Sequence, residues 1–268
     1  ARVLAGLFAR KPAVDPGAVD YVLIGCVSQA AEQAGCPGRF AWLAAGFPEH
    51  VPSATIDRRC GSSQQAAHFG AQAIIAGAYD IAVVGGIESM SRVPMGSARM
   101  GKDPHGPSVQ QRYAPGLVAQ GISAELIAAR WKFDRETLDA YAARSHQRAA
   151  EAVDRGAFGN EIVPVRTPAG DAPIEADETI RPGTTVEALA KLRSSFHSAE
   201  LAERYPQIGW HVTAGNSSQL SDGASAALIM SEAKANELGL EPLARFHSFA
   251  VVGDDPLEVC LDLGPRGE

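Results

Sequence analysis

The chain has 268 residues, 46% of them apolar and 21% charged, with 27 Gly and 17 Pro. That is the composition of a globular protein with room for one large domain or two small ones. The net charge of -7 argues against a nucleic-acid-binding face and against docking on an anionic membrane, yet leaves a phosphorylated ligand open, because a few local Arg hold phosphates on an acidic protein.

The predicted elements begin with a helix already under way over Arg2 to Lys11, followed by the loop PAVDPGAVD and a short apolar run, Tyr21 to Val27, fit for a buried strand. A helix is expected over Arg39 to Phe47, ended by Gly46 and Pro48, then a strand over Ser53 to Asp57. Gly61 to Gly77 carries Ala, Gln and Ile at helical spacing, and IAVVG (Ile81 to Gly85) reads as a strand closed by a glycine pair. From Met90 to about Gly116 the Gly, Pro, Met and Ser content predicts a long crossing loop. Helices follow over Ser123 to Trp131 and from the N-cap Asp134 to Arg155, with Gly156 at the C-terminal end. Residues 157 to 210 are loop-rich, with a short strand at Ile162 to Val165. Strands are expected again at Ala224 to Ile229 and Ala244 to Val252, around a short helix at Ser231 to Leu238. The reading is an α/β fold with a mostly parallel sheet, its core at about 1 to 90 and 211 to 268, and a mostly helical insertion over 91 to 210.

No stretch approaches about 18 uncharged apolar residues, and the opening ARVLAGLFARKP does not read as a signal peptide. The four cysteines, Cys26, Cys36, Cys60 and Cys260, form no CxxC pair, so neither a zinc site nor a disulfide framework is expected, and a reducing cytoplasm is the simplest setting.

One cysteine stands apart by position. DRRCGSSQQAAHFGAQ places Cys60 just after a strand and just before a helix. There the helix dipole and its free N–H groups favour a thiolate and can stabilise an oxyanion, while Arg58 and Arg59 add positive charge nearby. By spacing alone an inert cysteine buried against the sheet remains the alternative. DRRCGSSQQA followed by IAGAYDIAVVGGIESMSRVPM resembles the nucleophile region of the thiolases, whose CGS(S/G) and GG-x-E-x-MS pattern is met by Gly85, Gly86, Glu88, Met90 and Ser91. EHVPSATIDRRCG, RSHQRAAEAVDRGAFGNEIVPV, DETIRPGTTVEALAKL and VTAGNSSQLSDGASAALIMSE follow in that family's order, so the resemblance covers nearly the whole chain.

The resemblance implies a layered βαβ half-domain with an inserted loop domain, Cys60 as an acyl-carrying nucleophile, and coenzyme A as a substrate, with no bound cofactor and no metal. It matches Arg181 to a nucleotide-contacting Arg, Phe196, Ala214 and Ser218 to the walls of a pantetheine tunnel, and Gln120 and Gly121 to the segment near the acyl end. On residue type alone, Arg181 is equally a solvated loop Arg, Phe196 a core residue and Ser218 a turn residue. Three positions depart from the family: Ala119 where some members carry His, Ala188 where they carry Ser, and Cys36, read as structural, where they usually carry Asn.

The family's leading strand with RTP-x-G is not found before Ala1, and its NEAF, GHPxGxSG and CxGG segments, which supply an activating His, an Asn and a second Cys, are not found in the chain. The resemblance therefore leads to the expectation that the C-terminal half-domain is absent, and neither His68, His211, His247 nor Cys260 substitutes in a recognisable motif. Thiolase halves pack face to face, so exposed apolar surface is expected, covered by self-association into a homodimer or homotetramer or by pairing. Two functions stay open: thiolysis of 3-ketoacyl-coenzyme A or condensation of acetyl-coenzyme A through an acyl-Cys60 intermediate, or a truncated, inactive protein that binds coenzyme A esters or partner subunits. A decarboxylating condensing enzyme fits GG-x-E-x-MS and GNSSQLSDGA less well.

Overall fold

The structure, a computed structural model, describes residues 1–166, 170 and 172–257; Cys260 lies outside the described residues. In chain order the elements are α1 (Arg2–Arg10), β1 (Tyr21–Gly25), α2 (Pro37–Ala44), β2 (Ser53–Ile56), α3 (Ser62–Ile75), β3 (Ile81–Ser89), α4 (Gly106–Arg112), α5 (Gln120–Trp131), α6 (Arg135–Asp154), α7 (Val186–Leu189), α8 (Ala199–Arg204), β4 (Asp222–Met230) and α9 (Glu232–Glu237). They divide between two compact units. One comprises Ala1–Pro104 with Leu220–Ala250, the other His105–Gln219 with the described residues from Val251 onward. Texture alone sets these divisions near 90 and 211. The stretch 91–104 stays with the sheet because Ser91 bonds to Asp222 and Val93 is buried, and 211–219 stays with the helices because Glu125 and Asp139 hold its backbone and side chains.

The sheet unit is a three-layer α/β arrangement around a four-stranded sheet of order β2-β1-β3-β4. β1 pairs in parallel with both β2 and β3, and β4 runs antiparallel to β3 along its whole length, from Ile81 opposite Met230 to Ser89 opposite Asp222. Alternation along the strands sorts side chains to two faces. Val22 and Ile24 of β1 and Ile81 and Val83 of β3 pack with Leu4 and Phe8 of α1 and Trp42 of α2. Leu23, Ala82 and Val84 point to the opposite face and pack with Ala66 of α3. Trp42 is wholly buried, donates its indole N–H to the Pro48 carbonyl at 2.9 Å, and meets the rings of Phe8 and Phe47. Each such fully buried large side chain contributes roughly 1.5–3 kcal/mol of transfer free energy.

From β1 the chain crosses by α2 to β2, and from β2 it crosses back by α3 to β3 on the far side of β1. Connections of one hand running in opposite directions put their helices on opposite faces. The loops leaving the carboxyl ends of β1 and β2 therefore part to opposite sides, the switch point at which open α/β sheets take ligands.

A paired set of glycines seats α3 there. Gly25 and Gly86 are opposite each other in the β1–β3 register. A Cβ on Gly25 would lie 2.4 Å from the Ser63 N, and one on Gly86 would lie 2.8 Å from the Ser63 Cβ. The first turn of α3 thus rests directly on the sheet backbone, which only residues without a side chain permit.

The helical unit has its own core of Ile122, Tyr205 and Ile208, flanked by Leu126, Phe196, Leu201 and Trp210. Helix α6 starts as its sequence implies, with the Asp134 carboxylate accepting from the Thr137 N–H at 2.8 Å, and is followed by Gly156 at φ +70.

Several predicted elements are corrected. The strand expected through Val27 ends at Gly25, because the Val27 and Ser28 N–H groups go to the Glu88 carboxylate instead of a neighbouring strand. β3 does not stop at the glycine pair but runs to Ser89, since β4 supplies a partner for every added residue. Ala244 to Val252 is not a strand; Phe246 and Phe249 stack on each other there, and Phe249 sits edge-on against His68. Ile162 to Val165 reduces to a single bridge between Val165 and Ile174, and the expected crossing loop contains α4. On α3, Phe69 and Ile75 are exposed, as is Phe40 on α2.

Gly25→Ala should destabilise the protein by about 1–3 kcal/mol, because its methyl meets backbone that cannot move aside as a side chain would. Urea unfolding measures this; an unchanged midpoint would show that α3 does not rest on the strand at Gly25.

Candidate active site

Cys60 lies in the turn between β2 and α3, at the carboxyl end of the parallel strands, and is exposed. That rules out the reading of an inert thiol buried against the sheet. The turn is braced from both ends. The Arg59 N–H bonds to the Asp57 carboxylate at 2.9 Å, and Arg59 itself takes the left-handed conformation at φ +51, which costs a non-glycine residue about 1–2 kcal/mol. The Ser62 hydroxyl, buried beneath the turn, accepts from the Arg58 N–H at 2.8 Å and donates to the Arg59 carbonyl at 2.5 Å. Backbone bonds from Gly61 N–H to the Arg58 carbonyl and from Ser62 N–H to the Arg59 carbonyl complete it. The N–H groups of Gly61 and Ser62, expected to be free beside the sulfur, are therefore engaged within the turn. No side chain caps the start of α3, so the helix's positive end still faces outward there. The Arg58 guanidinium lies over Gly61, where a Cβ would sit 2.4 Å from its Nη2, and reaches Gln64 at 3.4 Å.

The other two described cysteines have different surroundings. Cys26 is buried, and burial, reinforced by the Glu88 and Asp57 carboxylates, pushes its thiol up to about 11. It stays protonated and unreactive at neutral pH. Cys36 is half-buried at the N-cap of α2 with φ +68, its sulfur 3.7 Å from the Ser53 carbonyl. Asn adopts that left-handed backbone more readily than most residues, which is consistent with the Asn that the resemblance implies here. Burial acts to raise the Cys36 thiol pKa, but the Thr55 hydroxyl, the Arg39 backbone N–H, Ser53 and the Arg39 charge outweigh it and leave the pKa lowered.

Around the same end of the sheet, polar side chains fasten loops distant in sequence. The Glu88 carboxylate accepts from the Val27 N–H at 2.9 Å, the Ser28 N–H at 3.2 Å and the Gln33 side-chain amide at 2.8 Å, while the Gln33 oxygen accepts from the Ser89 N–H at 2.6 Å. Burial raises the Glu88 pKa, but the hydrogen bonds from Val27, Gln33 and Ser28 outweigh it and hold the carboxyl below its usual value. Asp222, at the start of β4, accepts from both the backbone N–H and the hydroxyl of Ser91, and these bonds lower its pKa. His68, two turns into α3, is buried against Phe249.

The six residues matched to coenzyme A contacts all lie in the helical unit. Two of them meet: the Phe196 ring covers Gly121, where a Cβ would come within 2.3 Å of it. Gln120 is exposed at the first position of α5. Arg181 is exposed in a turn whose backbone N–H bonds to the His146 Nδ1 at 3.2 Å. Ala214 and Ser218 are exposed, on either side of a turn built by Asn216. The Asn216 oxygen accepts from the Thr213 N–H at 2.8 Å, and its amide donates to the Asp139 carboxylate at 2.8 Å and the His211 carbonyl at 3.0 Å. Glu125, wholly buried, accepts from the N–H groups of His211 and Val212 at 2.9 and 2.7 Å. Sequence reasoning misses Gln33, Ser62, Glu125, Asp139 and Asn216 as site-building residues. Nothing near the acids of α5 and α6 in the chain marks their distant partners. Among the described residues no group of three or more His, Cys, Asp or Glu could hold a metal ion, and no helix is long and apolar enough to cross a membrane.

A three-layer α/β unit with an exposed cysteine at a strand-to-helix turn beside the switch point, carrying a helical insertion, defines the class of protein. The chain belongs to the thiolase family: the family model described as thiolase, N-terminal domain, matches residues 1–233. It is 46% identical over 259 residues to a 3-ketoacyl-CoA thiolase of Pseudoalteromonas translucida (strain TAC 125), an alignment covering 96% of this chain and 63% of that protein. It is 45% identical over 259 residues to the 3-ketoacyl-CoA thiolase of Escherichia coli O139:H28, covering 96% of this chain and 64% of the relative. The chain thus spans a little under two thirds of the length of these curated relatives.

Glu88→Gln should lower stability at neutral pH by about 1–2 kcal/mol, because an amide cannot accept all three bonds and turns a donor toward a donor. A native carboxyl held below its unfolded value contributes stability above the unfolded carboxylate range, and loses it as pH falls through the native value. The gap between variant and parent should therefore shrink in acid. Thermal unfolding across pH tests this, and a gap constant with pH would show that the Glu88 charge is not involved.

Proposed function

We propose that this protein acts in acyl transfer on coenzyme A thioesters, with Cys60 as the nucleophile. In thiolysis the Cys60 thiolate attacks the keto carbon of a 3-ketoacyl-coenzyme A, and the bond between that carbon and the α-carbon breaks. The electron pair leaves with acetyl-coenzyme A, whose carbon takes up a proton in place of the one lost by the thiol. The shortened acyl group remains as a thioester on Cys60 until the thiol of a second coenzyme A displaces it. Run backwards, the same steps condense acetyl groups. No metal or redox group enters this chemistry.

The observation that carries the reading is the exposed Cys60 in a braced turn at the carboxyl end of the sheet. Relatives named 3-ketoacyl-CoA thiolase, at 46% and 45% identity, support the substrate class. In this reading Arg181 meets the nucleotide phosphates, Phe196, Ala214 and Ser218 line the pantetheine arm, and Gln120 and Gly121 lie toward the acyl end. Assembly as a homodimer or homotetramer in the cytoplasm belongs to the same proposal.

Incubation with acetoacetyl-coenzyme A should leave an acetyl adduct on Cys60, found by peptide mass spectrometry and lost in Cys60→Ser. Added coenzyme A should discharge the adduct as acetyl-coenzyme A. An adduct elsewhere, or one unaffected by the substitution, would overturn the assignment of the nucleophile. No adduct with coenzyme A still bound would favour the inactive, coenzyme A-binding alternative.

A further inference from the structure

The helical unit contains a polar network that ties helix α6 to two segments distant in sequence. Asp139 on α6 is wholly buried and ion-paired to Arg135 one turn earlier, with Nε to Oδ2 at 2.7 Å. A buried charge pair survives only when its remaining hydrogen-bonding positions are filled. The second Asp139 oxygen is filled by the Asn216 amide at 2.8 Å. Arg135 also donates to the carbonyls of Leu189 and Leu192. The side chains of those two leucines close over Gly215, where a Cβ would lie 2.4 and 2.5 Å from their methyl groups. One pair of charges thus holds two segments, and Asn216 joins it to the turn between Ala214 and Ser218. Inside that turn Asn216 also takes the Thr213 N–H, and the Ser217 hydroxyl donates to the Thr213 carbonyl at 2.7 Å.

We propose that Asn216 is a positioning residue: through Asp139 and Arg135 it sets the turn that presents Ala214 and Ser218 to the pantetheine arm of coenzyme A. The inference rests on the coenzyme A reading above and assigns its specificity for the arm to a residue that does not touch the ligand. The amide is essential to it. Both its hydrogens are used, on the Asp139 carboxylate and the His211 carbonyl. A carboxylate at 216 would offer no proton to either and would set two negative oxygens together.

The test compares two ligands by calorimetric titration of the full chain: coenzyme A, and adenosine 3′,5′-bisphosphate, which has the nucleotide but no arm. Asn216→Asp should weaken coenzyme A at least tenfold and leave the bisphosphate within about twofold, whereas Arg181→Ala should weaken both. Asp139→Asn keeps the shape and an acceptor for Asn216 while removing the charge that Arg135 faces. It should show the same selective loss to a smaller extent, and it serves where Asn216→Asp does not fold. Coenzyme A bound by Asn216→Asp as by the parent, or both ligands lost in equal measure from either folded variant, overturns the positioning role. Failure of the unsubstituted chain to bind either ligand overturns the coenzyme A reading itself.

Discussion

Much of the sheet unit depends on one close approach, that of the first turn of α3 to the strands beneath it. Gly25 and Gly86 lie side by side in the register; the Ser62–Ser63 backbone fills the space a side chain on Gly25 would need, and the Ser63 Cβ the space one on Gly86 would need. With the helix start held there, the preceding turn has little room. It closes through a left-handed Arg59, the Asp57 carboxylate and the buried Ser62 hydroxyl, and it leaves Cys60 outward. The strain at Arg59 persists because its neighbours over-determine it. A longer or looser connection would let the sulfur wander relative to the strand ends.

Carboxylates fasten what the sheet does not. The loop after β1 leaves its partner strands at Gly25, and Glu88 replaces the lost ladder with three charge-assisted hydrogen bonds. Asp222 does the same for the chain leaving β3, through Ser91. In the helical unit Glu125 takes two successive N–H groups, and Asp139 closes a network through Asn216. These acids are acceptors for otherwise orphaned donors, which is why most of them sit partly or wholly out of water. An acidic chain with a net charge of -7 therefore carries some of its negative charge as internal fastening, not as solvated surface.

The sequence was legible where the signal is local. Strand starts at Tyr21, Ser53 and Ile81 follow from apolar runs, the start of α6 from Asp134, and the placing of Cys60 from the strand and helix patterns on either side of it. The expected strand at Ala244 to Val252 shows the limit: β-branched and aromatic residues suit a strand, but a strand forms only where another offers its edge. The reverse holds for β3, which outran its glycine pair because β4 lay alongside. Of the residues matched to coenzyme A, Gly121 and Phe196 are brought into contact, while Arg181 stands in a separate exposed turn.

By itself the sequence determined the alternation of strands and helices through β3, the burial of β1 and β3, and the place of Cys60 between a strand and a helix, because each is written in the periodicity or punctuation of a short window. Only the tertiary structure decided the strand order, the antiparallel edge, and the acceptors that hold the loops. Glu88 meets Val27 across 61 residues, Val212 meets Glu125 across 87 and Ser91 meets Asp222 across 131. A single acid on a helix or strand looks the same in sequence whether water or a distant backbone N–H completes its hydrogen bonds. Which of the two does so is settled only when the chain has folded and the orphaned donors have nowhere else to turn.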